Sequence, residues 1–190
     1  MELALPPEWD ITFPDDRPLT VGDFMRLPDG PPRFELIDGA LVVNPPPIPR
    51  HARDTTNLTL VLHAACPAHM EVFGSPVAWV ADDRNVLEPD VSVCRREDVG
   101  EKRLDLPPLL CVEILSPSTR RRDLTVKRDT YERGGVAAYW VIDPDGPRLI
   151  AWDLDGDTGT YVERADLTGE ATFSATVPFP VTIDIASLVR

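Results

Sequence analysis

Two short stretches of the chain, residues 88–93 and 111–116, are mostly apolar, yet each contains a carboxylate where a buried strand should carry an aliphatic side chain. Moving an ionised carboxylate out of water is costly unless a partner compensates for its charge. Alternation along the first strand puts four side chains on one face, namely Glu88, Asp90, Ser92 and Cys94. If the two strands pair, Asp90 and Glu113 can meet. The pattern therefore predicts two buried acids with a shared partner, and a divalent cation is the simplest one.

The remaining pattern predicts an α/β fold with a mixed central sheet. Thr20 precedes apolar residues at helical spacing and predicts a helix that ends near Leu27. Two apolar runs around Asp38-Gly39 predict a β-hairpin, and residues 49–65 should be helical. Further strands are expected at 70–73, 77–81, 86–94, 109–115, 136–142, 148–154 and 160–164, before a closing segment around residues 181–185.

A strand, a helix and a second strand follow one another between residues 109 and 142. The helix should run from about residue 119 to Arg133 and end at Gly134-Gly135. Short joints between such elements predict a right-handed crossover with the two strands parallel. Asp123, Lys127 and Tyr131 lie four residues apart and share one stripe of this helix. The stripe either approaches Glu113 or forms an ordinary exposed Asp123–Lys127 pair, and the spacing alone leaves both open.

The length and composition fit one globular domain of 190 residues, with 43% hydrophobic and 27% charged residues. We expect an irregular, proline-rich N-terminal arm over residues 1–18 and a single domain over residues 19–190. The chain has no apolar run long enough for a membrane span and no secretory signal pattern. Its three cysteines lack metal-ligand spacing, which indicates reduced thiols in a cytoplasmic protein.

The net charge of −13 is unusual for a protein that binds nucleic acid. The charge is uneven, however, because residues 116–133 carry six basic side chains against three acidic ones. This basic segment could contact nucleic acid or could simply form the solvated face of a helix.

Several blocks of the sequence together resemble the Uma family, whose bacterial members belong to the PD-(D/E)xK restriction-endonuclease-like superfamily. The matching blocks are Pro89-Asp90, the run 112–119, the stripe of Asp123, Lys127 and Tyr131, the run 139–144, and the N-terminal runs 33–39 and 49–51. They occur in the order of the family and cover residues 20–188.

The resemblance implies a restriction-endonuclease-like core: a mixed central β-sheet flanked by helices, with an N-terminal hairpin and extra C-terminal strands, so that residues 19–190 form a nuclease-like domain. It implies a Mg²⁺- or Mn²⁺-dependent endonuclease that cleaves DNA with a metal-activated water and leaves a 5′-phosphate. Asp90 and Glu113 would bind the metal together with the main-chain carbonyl of Ile114. Leu115 stands where the superfamily has its lysine, so Lys127 would supply the catalytic ammonium from the following helix.

The resemblance also suggests roles for further residues. Glu35 would add to the metal site or be an exposed hairpin residue, and His51 would join the site or only cap a helix. Tyr131 would orient Lys127 or a phosphate, or simply pack, and Asp123 is a further candidate. Four arginines are expected to bind nucleic acid: Arg120, Arg121, Arg122 and Arg128. A homodimer is implied as well.

A second hypothesis belongs to another class of function. The protein could have a nuclease fold without catalysis and bind nucleic acid or a protein partner. The acidic net charge and the displaced lysine favour this alternative, whereas the set of Asp90, Glu113 and Lys127 favours the nuclease.

Overall fold

The N-terminal part of the protein begins with a short helix and a hairpin. The computed structural model describes residues 12–28, 30 and 32–189. Helix α1 (Val21–Phe24) is capped by the side chain of Thr20, as predicted, but it ends before Leu27. Of the predicted N-terminal arm, residues 1–11 lie outside the described residues, and residues 12–18 contain no helix or strand.

The predicted hairpin is confirmed as β1 (Arg33–Ile37) and β2 (Ala40–Asn44). Its turn residues Asp38 and Gly39 both have positive φ angles of 50° and 78°. A two-residue hairpin turn with this backbone matches the twist of its strands, which is why Asp-Gly is favoured here. The hairpin continues into a four-stranded antiparallel sheet in the order β2-β1-β5-β4, where β4 is Trp79–Asp82 and β5 is Asn85–Leu87.

A second, six-stranded sheet forms the centre of the fold, in the order β10-β9-β8-β7-β6-β3. Its strands are β3 (Met70–Phe73), β6 (Val91–Arg95), β7 (Leu110–Ile114), β8 (Ala138–Asp143), β9 (Arg148–Leu154) and β10 (Tyr161–Thr168). Strands β7 and β8 are parallel and the other neighbours are antiparallel. The predicted mixed sheet and the predicted parallel crossover are therefore confirmed.

The crossover helix, α3, spans residues 120–133 and contains an irregularity that the sequence did not indicate. It is α-helical over Arg120–Arg122, a π-helix over Asp123–Lys127, and α-helical again over Arg128–Arg133. The main-chain carbonyl of Asp123 accepts a hydrogen bond of 2.9 Å from the Tyr139 hydroxyl. Single π-turns inside α-helices occur often at functional sites.

The prediction of one strand over residues 86–94 is wrong. The stretch divides into β5 and β6, which belong to different sheets, and residues 88–90 form the break between them. Pro89 explains the break, because a proline has no N–H for the strand ladder. Asp90 thus precedes β6 rather than lying within it. The register pairs Val91 with Val112, so Asp90 still lies at the end of the sheet beside Glu113.

Each face of the central sheet is covered by different elements. Helix α2 (Pro49–Ala65), predicted with the same bounds, packs on one face with the antiparallel pair β11 (Thr172–Ala175) and β12 (Val181–Asp184). Strand β11 was not predicted, and a short helix, Ile185–Leu188, follows β12. Helix α3 packs on the other face with Trp79 of the small sheet. No helix in the described part of the chain is both long and apolar enough to cross a membrane.

Candidate functional site

A cavity of about 320 Å³ opens where the small sheet, α3 and the carboxyl end of β7 come together. Six acids line this cavity: Glu35, Glu88, Asp90, Glu113, Asp123 and Asp145. Its basic residues are Lys127 and the arginines Arg33, Arg50 and Arg122, and His51 also lines it. The structure thus brings together around one cavity the acids and the lysine that the sequence distributes over three separate blocks.

Lys127 forms the centre of the buried charges. Its side chain is 3% exposed, and its Nζ lies 2.8 Å from Glu113 Oε1 and 2.8 Å from Glu35 Oε1. Burial alone would lower the pKa of Lys127, but the carboxylates of Glu113, Glu35 and Asp123 outweigh burial and raise it. Lys127 is therefore held as a charged ammonium group. The alternative of an exposed Asp123–Lys127 pair is wrong, since both residues are buried.

Glu113 lies on the face of β7 that α3 covers. Its Oε1 accepts hydrogen bonds from Lys127 and, at 2.8 Å, from the hydroxyl of Tyr131. Tyr131 is fully buried and packs against Trp79 and Tyr139, so it both packs and orients the carboxylate that Lys127 contacts. Burial raises the pKa of Glu113 well above its ordinary value, and the charge of Lys127 opposes this only in part.

Glu35 lies in β1 and is completely buried, so it is not an exposed hairpin residue. Besides Lys127, its Oε1 accepts a hydrogen bond of 2.9 Å from the main-chain N–H of Glu88, and its Oε2 accepts one of 3.0 Å from Asn44 Nδ2. Burial would raise the pKa of Glu35, but Lys127 and these donors lower it. The single ammonium of Lys127 thus contacts two acids. Of the two, Glu113 is the one whose pKa stays raised, so its negative charge is compensated less well than that of Glu35.

Asp90 is oriented by two groups at the end of the central sheet. Its Oδ2 accepts a hydrogen bond of 2.8 Å from the main-chain N–H of Ile114, and its Oδ1 lies 3.0 Å from His51 Nε2. His51 lies in the first turn of α2, and its side chain reaches the site rather than capping the helix. The hydrogen bond to Asp90 raises the pKa of His51 despite partial burial.

Two carboxylate oxygens at the cavity are buried without a hydrogen-bond partner among the described residues: Asp123 Oδ1 and Glu88 Oε2. Asp123 is 1% exposed, whereas Glu88 is half-buried. Burial raises the pKa of both side chains, and Lys127 opposes the shift at each.

The four predicted nucleic-acid-binding arginines lie in different surroundings. Arg122 lines the cavity, and Arg121 is exposed on α3. Arg120 pairs with Asp143 at 2.7 Å, and the guanidinium of Arg128 lies 5.5 Å from the ring centre of Trp152. The basic segment therefore does not form one continuous face towards the cavity.

The donor set at the cavity suits a hard divalent cation. Asp90 and Glu113 both line the cavity at the end of the sheet, and the partnerless oxygens of Asp123 and Glu88 are atoms that a cation or its waters could satisfy. Among residues 12–28, 30 and 32–189, no group of three or more His, Cys, Asp or Glu side chains is arranged to hold a metal ion. Mg²⁺ usually binds one or two carboxylates and keeps several waters, so it does not require such a group.

Sequence reasoning missed two contributions to the site. Asn44, the last residue of β2, donates to Glu35, and Glu88 lines the cavity with a buried oxygen. The sequence could have indicated Glu88 as a site residue, because it is one of two acids in the Glu88-Pro89-Asp90 break. The role of Asn44 depends on the hairpin meeting α3, which no local pattern indicates.

Comparison with known proteins agrees with this fold. The model of a family described as Uma2, putative restriction endonuclease, matches residues 21–186. The chain is also similar to a crystal structure of a putative nuclease belonging to DUF820 from Anabaena variabilis, with a TM-score of 0.70 and 20% sequence identity over 90% of this chain and 98% of that chain. At this identity the likeness concerns the fold, and it confirms the predicted fold class. No curated protein matches the chain.

Proposed function

The chain belongs to the Uma2 family of putative restriction endonucleases, and from this premise we propose that it is a metal-dependent nuclease that hydrolyses phosphodiester bonds of DNA. The observation that carries the proposal is the contact of 2.8 Å between Lys127 Nζ and Glu113 Oε1 in the wall of a cavity that Asp90 also lines. Carboxylates that can hold a cation, next to a charged hydrogen-bond donor, are the groups that metal-dependent phosphodiester hydrolysis uses.

Asp90 and Glu113, with the main-chain carbonyl of Ile114, are the proposed ligands of Mg²⁺ or Mn²⁺. When bound, such an ion polarises the phosphodiester and lowers the pKa of a bound water. His51 and the N–H of Ile114 fix the orientation of the Asp90 carboxylate. Tyr131 does the same for Glu113. Because both acids are oriented by the protein, little reorganisation is needed when the cation arrives.

Lys127 acts as a donor in this proposal. An ammonium has three N–H bonds, and Glu113 and Glu35 accept two of them. The third is available to a phosphate oxygen, where it would stabilise the negative charge that develops as water attacks phosphorus. Glu35, whose oxygens are engaged by Lys127, Glu88 and Asn44, is better suited to holding Lys127 than to binding the metal.

DNA would reach the cavity past the arginines that line it. Arg33 and Arg122 can contact phosphates, and Arg50 can do so once it leaves Asp145. Arg121 is free to join them on the surface of α3. Arg120 and Arg128 would have to leave Asp143 and Trp152 to bind DNA. We also propose a cytoplasmic homodimer, in which two copies of α3 would enlarge the basic surface; the three free cysteines are compatible with a reducing compartment.

The test uses the two lysines of the chain, Lys127 and Lys102. Purified wild-type protein is incubated with supercoiled plasmid and Mg²⁺ or Mn²⁺, beside Lys127→Met and the matched control Lys102→Met. We expect wild type and the control to nick the plasmid only with the metal, and Lys127→Met to be slower by about 10²–10³-fold, the usual cost of one transition-state donor. Cleavage in EDTA, or equal rates for Lys127→Met and wild type, would overturn the proposal.

A second candidate function is a nuclease-fold protein that binds nucleic acid or a protein without cutting. It is favoured by one observation: Lys127 is held by two carboxylates inside a chain with a net charge of −13. Wild-type protein that binds Mn²⁺ but cuts neither plasmid nor single-stranded DNA would support this candidate instead.

A further inference from the structure

The proposed hydrolysis needs a group that takes the proton of the attacking water. Lys127 cannot be that group in the state described, because its ammonium has no lone pair and the surrounding carboxylates raise its pKa. A side chain of the cavity with a carboxylate oxygen that is not already engaged can take this proton. Six acids line the cavity.

Four of the six acids are engaged. Glu35 accepts hydrogen bonds at both carboxylate oxygens, and so does Asp90 if the contact with His51 is counted. Glu113 accepts two hydrogen bonds at Oε1 and is a proposed ligand of the cation.

Asp145, the fourth, is exposed and accepts a hydrogen bond of 2.9 Å from Arg50. At the remaining two acids, one buried oxygen each has no hydrogen-bond partner among the described residues: Asp123 Oδ1 and Glu88 Oε2.

Of these two acids, Asp123 has the more deeply buried side chain. It is 1% exposed, whereas Glu88 is half-buried and also lines a second, larger cavity beside the first. Asp123 begins the π-turn of α3, and the Tyr139 hydroxyl binds its main-chain carbonyl at 2.9 Å. Lys127 ends the same π-turn. The turn thus brings to the same cavity the ammonium of Lys127 and a buried carboxylate with one oxygen that has no hydrogen-bond partner among the described residues.

We propose that Asp123 is the general base, and that its Oδ1 accepts the proton of the attacking water. This role rests on the proposed function. In the step, the water oxygen forms a bond to phosphorus, one of its protons passes to Asp123, and the bond between phosphorus and the leaving 3′ oxygen breaks. The leaving oxygen takes a proton from solvent water. A buried carboxylate suits this task because burial raises its pKa and makes it a stronger base.

The geometry of Asp123 does not suit a residue that only stabilises the fold. A buried carboxylate oxygen without a hydrogen bond destabilises the folded state, so an amide of the same shape should be tolerated at least as well. If Asp123 served only to hold the fold, the amide would instead weaken it. Stability and activity should therefore move in different directions at this position, as expected for a group that serves catalysis rather than stability.

The experiment compares Asp123→Asn with Glu88→Gln and with the control Asp98→Asn, each measured for plasmid cleavage, for Mn²⁺ affinity by calorimetry, and for melting temperature. Asp98 suits the control because it lies outside the cavity and also has a buried carboxylate oxygen without a hydrogen-bond partner among the described residues. We expect Asp123→Asn to lower kcat by about 10²–10⁴-fold, the usual contribution of a general base. Its KM, its Mn²⁺ affinity and its melting temperature should not fall. Glu88→Gln should lower kcat less than Asp123→Asn does, and Asp98→Asn should keep the wild-type kcat.

Each other outcome overturns the inference. Wild-type kcat in Asp123→Asn excludes the role, and loss of Mn²⁺ binding in that variant would make Asp123 a metal ligand instead. A lower melting temperature would make it a structural residue. Loss of kcat in Glu88→Gln alone would move the base to Glu88. If wild-type protein never cuts DNA, the proposed function fails as well, which the wild-type lane shows separately.

Discussion

The two faces of the central sheet are built from the same strands but differ in chemistry. The face under α2 and the β11–β12 pair is packed by aliphatic and aromatic side chains, and Trp140 meets Phe173 edge-on with ring centres 5.3 Å apart. The face under α3 has an aromatic and aliphatic core too, but beside it lie the buried groups Glu113, Asp123 and Lys127. Alternation along a single strand, β7, sends Val112 to the first face and Glu113 to the second.

This difference separates what the fold needs from what the site needs. The first face shows that an apolar core is enough to cover these strands. On the second face, Lys127 has to compensate for the buried carboxylates, and replacing a buried ion pair by apolar residues is often neutral or stabilising. The charges are therefore poorly explained as stabilisers of the fold. Their arrangement around one cavity is explained if they bind a cation and a phosphate.

The largest expected effect is the loss of the shared ammonium. Lys127→Met leaves Glu113 and Glu35 buried without a cation, which should lower the free energy of unfolding at neutral pH by about 3–5 kcal/mol. Urea denaturation measures this loss in the free energy of unfolding. Burial already raises the pKa of Glu113, and Lys127 no longer opposes this shift in the variant. Lowering the pH should therefore protonate Glu113 and reduce the deficit. An unchanged urea midpoint at neutral pH would show that Lys127 does not stabilise the buried carboxylates of Glu113 and Glu35.

A core substitution on the apolar face should affect stability without affecting the site. Leu62 of α2 is fully buried there, and Leu62→Ala should cost about 2–5 kcal/mol through lost contacts and a cavity. Cleavage per folded molecule should stay at the wild-type rate at a temperature where the variant is folded. A loss of turnover beyond the loss of folded protein would show that the two faces are coupled.

A smaller effect is expected at Glu35. The folded state lowers its pKa, so its contribution to stability is present above its unfolded value and is lost as the pH falls through the folded value. Glu35→Gln should therefore be less stable than wild type by about 1–3 kcal/mol at neutral pH, the usual value of a charge-assisted hydrogen bond. The two proteins should converge in acid. Parallel pH–stability curves would contradict this assignment.

The smallest effect on stability is expected at His51, in the first turn of α2. The hydrogen bond to Asp90 raises its pKa, so its contribution is present below the ordinary value and is lost as the pH rises through the folded value. The contact is partly exposed and should contribute about 1 kcal/mol or less. An NMR titration should give His51 a midpoint above about 6.5, which Asp90→Asn lowers. A midpoint at or below 6.5 in wild type would contradict the contact.

Local patterns were sufficient for much of the fold. The Asp38-Gly39 turn fixes a hairpin by its backbone geometry alone, and the bounds of α2 follow from Pro49 and Pro67. The parallel crossover follows from two apolar strands around an amphipathic helix. The break at Pro89 was missed because the apolar pattern continues through it, although proline could have indicated it. Strand β11 has four residues, of which two are apolar, and within the described part of the chain it pairs with β12 alone.

The site was predictable in part. A carboxylate in an apolar strand singled out Glu113, and four-residue spacing put Asp123, Lys127 and Tyr131 on one stripe. The sequence could not show that Glu35 shares Lys127, because this contact joins β1 to α3 across two sheets. Nor could it show the π-turn, since the hydrogen bonds of a helix are not encoded by side-chain spacing. Such tertiary contacts distinguish the buried stripe from an exposed one.

Diffraction from a crystal soaked in Mn²⁺, recorded at the manganese absorption edge, tests most directly whether the charged face is a cation site. We expect an anomalous peak in the cavity, with oxygens of Asp90 and Glu113 as its protein ligands and Lys127 beside it. A well-ordered cavity with no manganese, or manganese bound only at other carboxylates, would show that the charged face is not the proposed cation site.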